Sequence, residues 1–504
     1  MAKRMYFIGI GGISMSALAI FQAASGNIVS GSDISNSDAL NIFKNFNIPV
    51  YIGHKKENIK AFNPNLVVIN CAIKEDNEEL KWAIAHKKKI ITRAELLGNV
   101  SKTFKNVIAI SGTHGKTTTS ALISEIFIEA KLKPSIHVGG ILKRCESNFL
   151  IGEKKFFITE ACEYQNSFLS LQPTLGIVLN IEPDHLDFFK NMKEINNSFE
   201  KFLENSKNKI LKIDEFVYML KNEKNCSFYC AKNLKKSNVG FSFDFYKNDI
   251  CLAKIQTNFF GQHNVKNTLV ACIVADFYKI KMPIVKRAIK NFGGVKRRFE
   301  EITKVNNSVV IHDYAHHPTE IEKVICQAKR YGKVLTVFQP HTYSRTKKLF
   351  KDFLSCFNLT DGLVLIKTYP AREEEVKGAT AKDIYNQILS KNPLFFSEDF
   401  SYNNQIEKVD NFIQNDLIFK NQISSQFKQC LKKQNYSQIN QNIPLDNFVQ
   451  NNQNLKPCYY FDEFENARQK LISLSQIYNC ILILGAGNIN ELAYMLKRKE
   501  NNSN

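Results

Sequence analysis

The chain has 504 residues, enough for about three domains at ~150 residues each, and its 44% hydrophobic content is sufficient for substantial cores. No stretch approaches the ~20 consecutive apolar residues of a membrane span. The apolar run from Met5 to Ile10 leaves no room for a secretory leader. The 12 cysteines contain no CxxC pair. The expectation is therefore a cytoplasmic, thiol-reduced protein with no membrane partner. The formal charge of +20 comes from short, separate clusters such as Lys87-Lys88-Lys89 and Lys235-Lys236. It reads as general basicity that draws in anionic small molecules, with no nucleic-acid partner expected.

The first hundred residues alternate strand-like and helix-like runs. Met5 to Ile10 leads into Gly9-Ile10-Gly11-Gly12-Ile13-Ser14, and helical spacing follows through Ala17, Leu18 and Phe21. Ile28 to Asp33, Leu66 to Ile69 and Ile90-Ile91 read as further strands. This βαβ rhythm predicts a parallel sheet with its sites at the C-terminal strand ends. The glycine run is a partial dinucleotide fingerprint, with Ser14 in place of the third glycine. Asp33 lies at the distance expected of an acid that contacts a ribose. Gly11, Gly12, Ser14 and Asp33 are thus candidate binders of a nucleotide-like ligand.

The run Ala109-Ile110-Ser111-Gly112-Thr113-His114-Gly115-Lys116-Thr117-Thr118-Thr119 carries the most chemistry. An apolar strand from Val107 to Ile110 precedes two glycines that let the backbone curl with its N–H groups inward. Apolar residues at helical spacing follow (Leu122, Ile123, Ile126, Phe127). Strand, glycine turn, lysine, hydroxyl and helix form a polyphosphate cradle. Gly112 to Thr118 would surround the phosphates, Lys116 would neutralise charge and Thr117 would reach Mg²⁺. The pattern is G-x-x-G-K-T, because Ile110 stands where the standard P-loop has glycine. Phe156 to Glu160 and Leu175 to Asn180 are strands that end on the same side. They bring Glu160 and His185 toward Thr117 as metal ligands, although His185 and Asp187 could equally cap a helix. Gly261 to Asn267 opens a helix whose His263, Asn264 and Asn267 could hydrogen-bond a base or ribose, or only cap the helix.

In the last third, Lys296-Arg297-Arg298 is either a solvated charge run or a phosphate clamp. Strands at Val309 to Ile311, Val334 to Phe338, Leu363 to Ile366 and Ile481 to Leu484 each run into polar or glycine residues. They predict a second doubly wound sheet. From about 392 to 457 the chain is rich in Asn, Gln and Lys without periodicity, and reads as a disordered surface insertion.

Together these motifs resemble the Mur ligase family: GIGGISMSALA, GSD, CAIKEDNEEL, RAELL, GTHGKTTT, EACEYQNSFL, NIEPDHLD, GQHNVKN, GVKRRFE, DYAHHPTEI, QPHTYSRT, YPARE and GAG occur in family order. The resemblance omits the insertion and a divergent stretch around 205–255. It implies an α/β protein of three domains: a Rossmann-like UDP-sugar domain (1–103), a central P-loop-type ATPase domain (104–293) and a Rossmann-like C-terminal ligase domain (294–504). It implies ATP-driven amide formation between the lactyl carboxylate of UDP-N-acetylmuramate and L-alanine through an acyl phosphate, by a monomer or homodimer. Lys116 would bind the β/γ-phosphates. Thr117 and Glu160 would hold one Mg²⁺ and His185 a second. His263, Asn264 and Asn267 would face adenosine, Asp313 the ribose and Arg298 the γ-phosphate. His317, His341 and Arg345 would lie near the amino acid, with Arg345 at its carboxylate. Thr342, Asn488, Ala315 and Cys162 depart from the residues frequent in the family. Rival expectations are a murein-tripeptide ligase, a non-catalytic nucleotide-binding protein and, from Gly9 to Ser14 alone, a nicotinamide oxidoreductase.

Overall fold

The structure is a computed structural model and describes residues 2–34, 38–184, 188–237, 239–371, 373–392, 395–396 and 456–498. Two compact units, 1–296 and 297–504, divide the chain. His185 and Asp187 fall outside the described residues, as does the expected insertion between 397 and 455.

The first unit contains two sheets. One has five parallel strands in the spatial order Val50–Ile52, Ile28–Asp33, Arg4–Ile8, Leu66–Ile69, Lys89–Thr92. This is a doubly wound order, and the chain reverses direction across the sheet beside Arg4–Ile8, whose C-terminal end runs into Gly9. Local capping fixes its last helix: Thr92 and Glu95 form a reciprocal capping box at the start of Arg93–Ser101.

The second sheet has ten strands. Five are parallel: Asn208–Asp214, Leu175–Val178, Asn106–Ser111, Phe156–Glu160 and Ser135–Leu142. Asn106–Ser111 sits between Leu175–Val178 and Phe156–Glu160, so the phosphate turn opens at the centre of the sheet's C-terminal edge. Ser147–Leu150 pairs antiparallel with Ser135–Leu142 at one edge, and beyond Asn208–Asp214 at the other follow four antiparallel strands, Val217–Lys221, Cys226–Ser237, Gly240–Lys247 and Ile250–Gln256. These four occupy the stretch in which the sequence pattern shows no element. Their signal is weak because most are covered on one face: Tyr218 and Leu220 are buried while their neighbours are not, and exposed Phe228 and Ile250 break the apolar-in, polar-out alternation. The two sheets share one hydrophobic cluster, with Phe7 and Phe21 from the first and Val107, Phe157 and Phe202 from the second. That shared core is why 1–296 is one unit.

The second unit holds a seven-stranded sheet in the order Glu300–Val305, Ser308–Asp313, Cys480–Leu484, Val334–Phe338, Gly362–Ile366, Lys456–Phe461, Phe395–Phe396. All pairs are parallel except the first. The insertion boundary needs correction. Lys456 and Pro457 begin a strand paired with Gly362–Ile366 and Phe395–Phe396, so the ordered sheet claims both edges of the low-complexity stretch. Proline, which donates no ladder bond, is tolerated at such a strand start.

Candidate active site

At the centre of the second sheet, Asn106–Ser111 runs into Gly112 and Gly115, whose φ angles are +132° and +87°. A Cβ at Gly115 would lie 2.6 Å from Asn267 Oδ1, and one at Gly112 3.1 Å from the Asn180 backbone. Glycine is required here by both angle and space. The turn is braced by Asn180, which accepts from the Thr113 N–H through its carbonyl (3.1 Å) and from the His114 N–H through its side chain (2.9 Å). The Asn180 amide donates back to the His114 carbonyl (3.0 Å). Thr113 Oγ1 is tied to the Glu182 backbone, and His114 Nε2 lies 3.5 Å from the Glu182 carboxylate. The helix Lys116–Glu129 starts directly from Gly115, so its N-terminal N–H groups and dipole face the turn. Thr118 lies in its first turn.

Lys116 Nζ donates to the carbonyls of Gly112 (2.5 Å) and Thr113 (3.1 Å) and to Glu163 Oε1 (2.9 Å). Burial pulls its pKa down, but the charge of Glu163, with Cys162 and Glu160 behind it, outweighs burial and leaves the pKa raised. The lysine therefore stays charged in a site that is mostly dry. Glu163 is the residue of this site that the sequence reading passes over. It follows Glu160 by three residues, at the point where the chain turns from strand into a kinked 3₁₀ segment with Gln165 and Asn166 at positive φ. The one signal for it is that a buried lysine needs a nearby anion.

Thr117 Oγ1 donates to Glu160 Oε2 (3.2 Å), and the other carboxylate oxygen accepts from the Gly139 N–H (2.6 Å). This places a hydroxyl and a carboxylate side by side, one residue beyond the lysine. Hard oxygen donors in this small number suit Mg²⁺, which completes its shell with phosphate and water oxygens. The expected adenosine residues are placed differently from one another. Asn264 donates to the Phe260 carbonyl (2.7 Å) and accepts from Asn267 (3.2 Å), so both amides serve the start of helix Gln262–Phe277. Asn267 also packs beneath Gly115, whereas the His263 side chain is exposed.

The first sheet's glycine turn is built around Asp33. Its Oδ2 accepts from the Gly11 N–H (2.8 Å), and a Cβ on Gly11 would lie 2.9 Å from that oxygen. Gly12 has φ −60° and no contact nearer than 3.6 Å for an added Cβ. Beneath the turn, the Ser32 carbonyl accepts from the Gly9 and Ile10 N–H groups, while the Ser32 hydroxyl donates to the fully buried Glu79 (2.5 Å). Tyr6 donates to the other Glu79 oxygen (2.7 Å). Ser14 bonds His137 (2.9 Å) and Arg93 (3.2 Å). The sequence pattern singles out neither partner.

In the second unit, Asp313 ends the strand Ser308–Asp313, next to the antiparallel edge. Its two oxygens accept from the Phe299 and Ala315 N–H groups, both at 2.7 Å, and burial pushes its pKa up to about 6. Of the two consecutive arginines, Arg297 donates to the carbonyls of Gly485 (3.2 Å) and Gly487 (2.9 Å), clamping the GAG turn. Both guanidinium groups also lie over the Tyr314 ring, Arg297 at 4.9 Å and Arg298 at 5.3 Å. His341 stacks on Tyr369 and bonds Arg345 NH1 (3.2 Å). Burial and then Arg345 push its pKa down to about 4. His316, absent from the sequence candidates, lies with its ring 6.3 Å from that of His341. His317 caps helix Pro318–Ala328 through Nδ1, which accepts from the Thr319 N–H at 3.4 Å.

Three family descriptions match the chain in order: Mur ligase family, catalytic domain, over residues 4–105; Mur ligase middle domain over 110–275; and Mur ligase, glutamate ligase domain, over 297–417. The UDP-N-acetylmuramate–L-alanine ligase of Caldicellulosiruptor saccharolyticus is 39% identical over 430 residues, 82% of this chain and 93% of that protein. The enzyme of the same name from Clostridium acetobutylicum is 42% identical over 407 residues, 78% of this chain and 88% of that protein. The chain belongs to the Mur ligase family. The fold agrees: the UDP-N-acetylmuramate–alanine ligase structure from Thermotoga maritima superposes with a TM-score of 0.72 at 23% identity, covering 98% of both chains. A murein peptide ligase from Psychrobacter arcticus gives 0.57 at 18% identity, again over 98% of both.

Within this family fold, the departures noted in the sequence are accommodated locally. Cys162 has its thiol pKa raised by burial and by Glu163, so near neutral pH it is a thiol, and its charge acts on Lys116 only in the alkaline range where the lysine titrates. Asn488 accepts from the Gln339 amide (3.1 Å). Thr342 adopts φ +68° at the head of the short helix Tyr343–Lys348.

Proposed function

We propose that the chain is an ATP-dependent ligase that joins L-alanine to the lactyl carboxylate of UDP-N-acetylmuramate, releasing ADP and phosphate, in peptidoglycan biosynthesis in the cytoplasm. The observation that carries this reading is the charged Lys116 held by Glu163 beside the Thr117–Glu160 oxygen pair. A carboxylate is a poor acyl donor. Phosphorylation by the γ-phosphate of ATP gives an acyl phosphate, whose carbonyl the alanine amine attacks, with phosphate as leaving group. Two anions must meet in the first step, so fixed positive charge lowers its barrier.

In this reading Gly112 to Thr118 cradle the phosphates, and Lys116 offsets the charge that develops on the transferred group. Thr117 and Glu160 would hold Mg²⁺, with His185 at a second ion. Mg²⁺ bound there would supply further neutralisation of phosphate charge. Gly11, Gly12, Ser14 and Asp33 bind the sugar nucleotide. His263, Asn264 and Asn267 lie on the adenosine side. Arg298 and Asp313 serve the nucleotide, and His317, His341 and Arg345 serve the amino acid. The three domains run 1–103, 104–293 and 294–504.

The test is phosphate release from ATP with Mg²⁺, UDP-N-acetylmuramate and a panel of amino acids. The expected result is release that depends on both the sugar nucleotide and L-alanine. Acceptance of the L-alanyl tripeptide in place of alanine would assign the chain to recycling. Release independent of the sugar nucleotide would overturn the ligase reading.

A further inference from the structure

His137 lies on strand Ser135–Leu142 and is only 4% exposed. A buried imidazole needs partners for both nitrogens, and this one has them on two different sheets. Nε2 is 2.9 Å from Ser14 Oγ in the first sheet's glycine turn, and Nδ1 is 3.1 Å from Thr159 Oγ1 in the second sheet.

The surrounding bonds fix the direction of each proton. Thr159 donates its hydroxyl to the Glu160 carbonyl (3.1 Å), so its oxygen accepts from His137 Nδ1–H. Nε2 is then the acceptor and takes the Ser14 hydroxyl proton, while Ser14 Oγ accepts from Arg93 NH1 (3.2 Å). Burial, and then the Arg93 charge, push the His137 pKa down to about 4, which keeps the ring neutral as this pattern requires. An unbroken chain therefore runs from Arg93 through Ser14, His137 and Thr159 to the backbone of Glu160. Two residues along the same strand, the Gly139 N–H holds the Glu160 carboxylate.

We propose that His137 is a positioning residue that couples the sugar-nucleotide turn to the magnesium–nucleotide site. Ser14 has a single hydroxyl proton. A phosphate oxygen drawn to the first turn competes with His137 Nε2 for it. The loss is felt at Nδ1–H, at Thr159 and at the backbone that carries Glu160. Coupling of this kind is reciprocal, so each ligand alters the affinity of the other by the same factor. The inference rests on the ligase reading, because that reading supplies the two ligands.

The experiment is calorimetry on the full chain with UDP-N-acetylmuramate and with the non-hydrolysable ATP analogue AMP-PNP plus Mg²⁺, each alone and in the presence of the other. The wild type is expected to show a reciprocal change in affinity of about fivefold or more. His137→Leu should bring that factor to within about twofold of unity while each ligand alone binds within about threefold of wild type. Thr159→Val removes the next bond with His137 in place and should give the same loss, so the outcome does not depend on how well the leucine variant folds. Coupling that survives in Thr159→Val, or that is absent from a wild type binding both ligands, overturns the proposal. Failure of the wild type to bind either ligand would overturn the ligase reading instead.

Discussion

The phosphate turn of the first unit and the Asp313–His341 cluster of the second handle charge in opposite ways. Both lie at C-terminal ends of parallel strands, and both bury titratable groups. At the turn, burial works against Lys116, and Glu163 overrides it, so the cation persists. In the second unit burial prevails: it lifts Asp313 to about 6 and depresses His341 to about 4. Buried His312, with neither ring nitrogen hydrogen-bonded, is depressed further, to about 3. One site is built to keep charge where an anion arrives. The other holds its imidazoles neutral and leaves Arg297, Arg298 and Arg345 as its cations. An opposed carboxylate within 3 Å makes the difference.

The sharpest way to break this contrast is Lys116→Ala. Turnover should fall by about a hundredfold or more, while UDP-N-acetylmuramate binding stays near wild type, because the sugar-nucleotide turn lies on the other sheet. Equal loss of both in calorimetry would mean that the two sites are not separate. Gly115→Ala should come next. At φ +87° with Asn267 Oδ1 in the way, it should cost about 1–3 kcal/mol of stability, read as a lower denaturant midpoint, and weaken nucleotide binding. Gly12→Ala is its control. With the added Cβ meeting protein atoms only at ordinary contact distance, 3.6 Å and beyond, the midpoint should hardly move, and any weakening of sugar-nucleotide binding would report the ligand itself.

Glu163→Gln tests the override directly. The raised Lys116 pKa stabilises the fold below the lysine's unfolded value of 10.5, and that contribution is lost as pH rises through the folded value. Without the carboxylate, the alkaline limb of nucleotide binding should move to lower pH. An unmoved limb would assign the charge to another group.

In the second unit Asp313 should follow the same sign as Lys116 in a lower pH window, and His341 the opposite sign. Raised Asp313 stabilises below about 3.8, and its contribution disappears as pH climbs through about 6. Depressed His341 stabilises above 6.5, and its contribution disappears as pH falls through about 4. Thermal melts of Asp313→Asn against wild type should therefore shift in the variant's favour between pH 5 and 7.5. The smallest effect is His312→Leu. Removing two unpartnered buried nitrogens should raise stability by about 1 kcal/mol and flatten the loss below pH 6.5.

The parallel strands could be read directly from the sequence because they are buried on both faces, so Ile108 to Ile110 or Ile481 to Leu484 appear as unbroken apolar runs. Most of the antiparallel strands from Val217 to Gln256 are covered on one face only, and their mixed polar and apolar residues give no clean alternation to read. The glycine turn and Lys116 were also legible, because φ above zero and a fixed cation demand particular residue types at fixed spacing. Glu163, His137 and the clamp made by Arg297 were not. Each gains its role from a partner 47, 123 or 188 positions away, and no local pattern records such a pairing. Sequence alone thus determined the chemistry available at each strand end. The packing of strands from distant parts of the chain decided which groups keep their charge and which of them touch.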